Sequence, residues 1–90
     1  MRDDLMSGYE MIVCRDERQA KRISQQVSGN PNIRVVSATH PSQIFGFSPQ
    51  RITVCEGVDL YQPFHGEGRL VDLLRARQLT WGDRAVFIVL

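Results

Sequence analysis

Short β-branched apolar runs alternate along this chain with polar stretches whose few apolar residues recur at helical spacing. Tyr9-Glu10-Met11-Ile12-Val13-Cys14, Ile33-Arg34-Val35-Val36-Ser37, Arg51-Ile52-Thr53-Val54-Cys55 and the segment 84–90 each read as strands. After the first strand, Asp16 is placed as a helix N-cap with Gln19 three residues on, the spacing of a capping box. Ala20, Ile23 and Val27 then form a narrow apolar stripe, Arg15, Arg18, Lys21 and Arg22 fall mostly on the other side, and Gly29 and Pro31 end the helix. A second helix is predicted over 69–79, with Leu70, Leu73, Leu74 and Arg77 along one face and Trp81-Gly82 closing it. Two prolines leave the segment 38–49 room for one short turn around 42–45, and Phe45 and Phe47 are available to the core. Residues 58–68 read as a loop.

The run 51–55 organises the rest, because it is apolar on both faces and stops abruptly at Glu56-Gly57. That is the pattern of a central, doubly buried parallel strand. Strand–helix–strand–connection–strand–helix–strand leaves crossovers long enough for a parallel sheet. Two long helices must cover two faces, which selects the spatial order 2-1-3-4. The expected fold is therefore a small Rossmann-like α/β domain over 9–90, with a four-stranded parallel sheet, helices on both faces and a loose polar lead-in over 1–8.

Composition narrows the function classes more than it names one. A net charge of +1 argues against strong non-specific nucleic-acid binding, which needs a basic footprint. The ten arginines against the single Lys21 are a bias more typical of a GC-rich genome than of a chemistry. No apolar run is long enough to span a membrane, the polar start is not a signal peptide, and Cys14 and Cys55 lack CxxC spacing. A cytoplasmic protein with buried, reduced thiols and no cofactor or metal is expected.

Candidate chemistry collects where the first and third strands end. In the 2-1-3-4 order the chain reverses between them, so their carboxyl ends flank a topological switch point. Arg15 and Asp16 on one side and Glu56 and Asp59 on the other are the crevice candidates. Glu56 and Asp16 could hold a metal or exchange protons, or the group could be ordinary loop-edge chemistry, with Asp16 already used as a cap. His40 and His65 are the only histidines; a Cys14–His40 or Cys55–His40 nucleophile pair is set against two thiols that simply pack. Arg18 and Arg22 on the first helix, and Tyr61 and Phe64 in the loop, are the candidate interaction residues. Asp16 and Glu17 beside the arginines give the alternative of a solvated face, and Tyr61, Phe64 and Trp81 could instead cap the sheet ends.

Two segments carry a likeness. Ile12-Val13-Cys14-Arg15-Asp16-Glu17-Arg18-Gln19-Ala20-Lys21-Arg22-Ile23 resembles the strand and helix that follow the nucleotide site of helicases and phage terminases. Phe45-Gly46-Phe47-Ser48-Pro49-Gln50-Arg51-Ile52-Thr53-Val54-Cys55-Glu56 is similar to their Walker B segment. The resemblance covers roughly residues 9–90 and puts Cys55 where the family carries the aspartate that orients Mg²⁺, a poor exchange for a hard cation. No GxxxxGK[ST] is present, so the chain resembles a truncated core without its phosphate loop, in the style of small accessory proteins of actinobacterial phages. No nucleotide hydrolysis is expected. The expected function is a non-catalytic module, of the kind phages encode, that binds another protein, such as a host or phage ATPase, and self-associates as a homodimer. The alternatives are a small ligand- or metal-binding enzyme using the crevice, and nucleic-acid binding through the first helix.

Overall fold

The computed structural model describes residues 9–45, 47–64 and 68–90; the lead-in 1–8, Gly46 and His65, with Gly66 and Glu67, lie outside the described residues. Strands β1 (Glu10–Cys14), β2 (Ile33–Ser37), β3 (Arg51–Val54) and β6 (Val86–Val89) form one sheet in the order β2-β1-β3-β6, with every pairing parallel. The last strand thus takes the outer place beside β3 that the sequence assigns to it. Within the predicted loop and the first residue of the predicted helix, β4 (Pro63–Phe64) and β5 (Gly68–Arg69) add a small antiparallel pair that no apolar alternation announces.

Helices α1 (Glu17–Gln26) and α2 (Leu70–Ala76) lie on opposite faces, and the register shows why. Val13 sits between Val36 and Val54, and all three point toward α2, where Leu70 and Leu74 close over them. The alternate positions Ile12 and Cys14 point the other way, with Cys55, and meet Ala20 and Ile23 of α1 and its C-cap Val27. The stripe read from the sequence is the stripe that packs. α1 lies mainly over β1 and β2. On β3 the same face turns polar, where Glu10 Oε2 accepts from Thr53 Oγ1 at 3.0 Å and pairs with Arg51 Nε at 3.6 Å.

α2 is shorter than the predicted 69–79. Arg77 N–H is shared between the carbonyls of Leu73 and Leu74, and Gln78 N–H tightens onto Arg75 C=O. The buried Gln78 then reaches the sheet, its Nε2 donating to the carbonyls of Gln50 (2.8 Å) and Val86 (2.9 Å). A helix continued to Leu79 would carry that amide away, so the chain changes to a 3₁₀ segment over Leu79–Arg84, kinked at Gly82 with φ 57° and ψ −128°. The short turn around 42–45 is likewise a 3₁₀ segment, Pro41–Ile44, and Ile44 is fully buried.

Each of Phe45, Phe47, Phe87 and Trp81 carries an arginine over its ring. Arg34 lies 4.5 Å from the centroid of Phe47, Arg84 5.3 Å from Trp81, Arg75 5.7 Å from Phe87 and Arg77 5.9 Å from Phe45. Four such contacts in one small domain exceed the usual frequency of about one per 70–80 residues. Trp81 is further held by its Nε1–H, which donates to Ser48 C=O at 2.8 Å. Among the described residues, no helix is long and apolar enough to cross a membrane.

Candidate functional site

The crevice between the ends of β1 and β3 is built as the sequence suggests, and then filled by the protein's own groups. Asp16 caps α1, with Oδ1 accepting from Gln19 N–H at 2.9 Å. Gln19 does not complete a capping box by returning to Asp16 N–H. Its Oε1 accepts from Arg15 N–H at 2.6 Å, and its Nε2 donates across the gap to Glu56 C=O at 3.4 Å. This nearly buried amide therefore ties the turn after β1 to the turn after β3. Above it, the Arg15 side chain runs over Gly57, where an added Cβ would stand 2.9 Å from Nη1. Gly57 has φ +90°, so its lack of a side chain serves both the turn and the close approach.

Arg15 and Asp16 are brought together, Nε to Oδ2 at 3.2 Å. The Gln19 backbone N–H, and after it Arg15, holds the Asp16 carboxyl below its ordinary value. A lowered acid contributes its stabilisation above the ordinary aspartate range and loses it as pH falls through the lowered value. Glu56 joins the crevice by its carbonyl, and its side chain is exposed. Asp59 belongs to a separate turn, where Oδ1 accepts from Tyr61 N–H at 3.0 Å. Among the described residues, no group of three or more His, Cys, Asp or Glu side chains comes together as a metal site.

The two thiols are neighbours. Cys55 N–H donates to Val13 C=O at 2.9 Å, which sets Cys55 beside Cys14, and both are buried under α1. Burial, then the Cys55 thiol beside it, pushes Cys14 up to about 12. A raised thiol favours the folded state at neutral pH, and that advantage fades as pH climbs above the ordinary thiol value toward 12. Cys14 is therefore expected to resist iodoacetamide at pH 8 in the native protein and to react at the rate of unfolding, which peptide mass mapping reads directly. Alkylation within minutes under native conditions would contradict this burial.

His40 pairs with an acid that sequence spacing did not single out for it. Its Nδ1 lies 2.7 Å from Glu17 Oε2 and 3.1 Å from Thr39 Oγ1, which in turn is 2.6 Å from Ser37 Oγ. An imidazole oriented by a carboxylate is half of a nucleophilic triad. Here Thr39 Oγ1 stands on the same nitrogen as the carboxylate, and Ser37 Oγ reaches the imidazole only through Thr39, so neither bond presents a hydroxyl to Nε2. Cys14 and Cys55 are buried under α1, while His40 is exposed and pairs with Glu17. His65, the other histidine, lies outside the described residues.

Arg18, Lys21 and Arg22 are exposed on the outer side of α1, and none forms an ion pair with an acid among the described residues. The two neighbouring acids make their ion pairs elsewhere, Asp16 with Arg15 and Glu17 with His40, while Asp16 still feels the charge of Arg18. Tyr61 is 65% exposed, in a loop whose Val58 and Leu60 pack on the α2 side of the sheet. The candidate arginines and Tyr61 thus rise from opposite layers. Phe64 lies in β4, and its side chain is outside the described residues.

What sequence spacing missed was the role of Gln19 and the Glu17–His40 pair. Only the first had a sequence signal, the Asp16-x-x-Gln19 spacing, and it pointed to the wrong donor. No protein-family model, no curated protein and no solved structure matches this chain.

Proposed function

We propose that the protein is a non-catalytic interaction module that binds an acidic surface of another protein through the outer face of α1. Arg18 and Arg22 carry the contact, with Lys21 between them. The observation behind this reading is the exposed basic row: Arg18, Lys21 and Arg22 have no ion-pair partner among the described residues, and the adjacent carboxylates pair with Arg15 and His40, although Asp16 offsets part of the Arg18 charge. The filled crevice supports a non-catalytic role, since Gln19 and Arg15 occupy the place where a ligand of an open α/β sheet would sit. The reversal of strand order between β1 and β3 supports a Rossmann-like reading of the core. The likeness of residues 9–90 to part of a helicase or terminase suggests a phage or host ATPase as the partner, and the missing phosphate loop with Cys55 at the Mg²⁺ position suggests no nucleotide turnover.

The test pairs binding with ligand screening. The immobilised protein should capture a partner from lysate that elutes with salt, and reversing both Arg18→Glu and Arg22→Glu should weaken capture at least tenfold. Thermal-shift scans with Mg²⁺, Mn²⁺, ATP and GTP should stay flat. Salt-sensitive binding of duplex or single-stranded oligonucleotides, lost in the same double variant, would replace this reading with the nucleic-acid one. A Mg²⁺ or Mn²⁺ shift abolished by Glu56→Ala, with no partner captured, would replace it with the enzyme one.

A further inference from the structure

The two edges of the sheet are finished differently. On β2 half of the outward groups are taken, at its two ends: Ile33 N–H donates to Asn30 C=O (3.3 Å), Ser37 N–H to Gln43 Oε1 (3.1 Å), and Ser37 C=O accepts from His40 N–H (2.9 Å). Arg34 adds a charge to that edge. On β6, Val86 and Leu90 donate inward to Gln50 and Val54, so the backbone groups of Phe87 and Val89 point outward. Among the described residues those groups have no partner. The strand reads Val-Phe-Ile-Val, with no charge, proline or bulge to block pairing. Large apolar side chains are exposed beside it: Val86 38%, Val89 56%, Leu90 69% and, on the preceding segment, Leu79 78%. An open groove of about 310 Å³ runs along the same edge, lined by Arg75, Gln78, Leu79, Gly82, Ala85 and Phe87.

We infer that β6 pairs with β6 of a second copy, antiparallel and centred on Ile88, joining two four-stranded sheets into one. The centre follows from the hydrogen-bond pattern. Within β6, residues 87 and 89 present the outward groups, and placing Phe87 opposite Val89 of the second copy satisfies these in a closed ladder of about four bonds. The same register sets Val86 against Leu90 of the second copy, brings the two Ile88 side chains together, and lays Val89 of the second copy into the groove beside Phe87. Charge agrees with a copy as occupant: the strand is uncharged, so the twofold sets no like charges opposite one another. The exposed parts of these side chains come to about half of the roughly 800 Å² per partner of a standard interface, so the pairing is weak and concentration-dependent. This surface is separate from the arginine face of α1, and the inference does not rest on that reading.

Sedimentation equilibrium should show the mass rising from 10.3 kDa toward twice that value as concentration climbs from about 10 μM toward 1 mM, the range of a small interface. Val89→Lys, an exposed position whose replacement spares the monomer core, should weaken association at least tenfold and leave the melting temperature at low concentration unchanged. As an independent readout of register, copies carrying Ile88→Cys should cross-link to one another under mild oxidation, and copies carrying Val86→Cys should do so far less. A single-chain mass throughout the range would overturn the inference, whether the edge then stays bare or takes a strand from a different protein. So would association indifferent to Val89→Lys, or self-cross-linking stronger at position 86 than at 88.

Discussion

Ile52→Ala is expected to cost about 2–5 kcal/mol, the range for removing a fully enclosed aliphatic side chain. Ile52 is fully buried, flanked in register by Met11 on β1 and Phe87 on β6, under the α2 face. A gap there opens inside three strands at once, and neighbours held by parallel ladders on both sides have little freedom to collapse into it. A small domain has only about 5–15 kcal/mol of stability in total, so this one change should leave a visible unfolded population. Urea titration reads it as a lower midpoint with an unchanged slope. Val86→Ala, measured at concentrations too low for association, is the control and should cost well under half as much. Equal losses at the two positions would show that the sheet is not packed around β3.

Gln78→Leu keeps the volume and removes the amide, and should cost about 1–3 kcal/mol, from two lost hydrogen bonds and a polar environment left for an apolar group. The loss should be local. Gln78 Nε2 joins the end of α2 to the start of β3 and to β6, through the carbonyls of Gln50 and Val86. Amide exchange should therefore quicken in β6 by a larger factor than in β1, which keeps strands on both sides. Uniform quickening across the sheet would mean that the amide supports the whole domain and not the edge strand.

The sheet was legible in the sequence because its signals are local and agree with one another. Apolar runs at 10–14, 33–37, 51–54 and 86–89, separated by stretches long enough for crossovers, leave few arrangements that cover both faces. The early end of α2 was not legible, because it depends on Gln78 meeting carbonyls as many as 28 positions away. The crevice was legible as a place and illegible as a surface. Asp16, Arg15 and Glu56 were readable as neighbours from strand order alone, but that Gln19 would reach Glu56, 37 positions on, depended on the spacing between two turns. Glu17 and His40 are 23 positions apart and share no pattern; only the placement of α1 beside the end of β2 brings them together.

The arginine bias noted at the outset acquires a second meaning from the rings beneath those side chains. Arg34, Arg75, Arg77 and Arg84 roof Phe47, Phe87, Phe45 and Trp81, and a flat guanidinium can lie on a ring while hydrating its far side. An ammonium group is a compact, strongly hydrated point and cannot act as a sheet. A lysine-coded version of this domain would have the same net charge and nearly the same length of every side chain, yet its aromatic rim would stand in water. For a fold with so little interior, part of the boundary between core and solvent is thus made of cations.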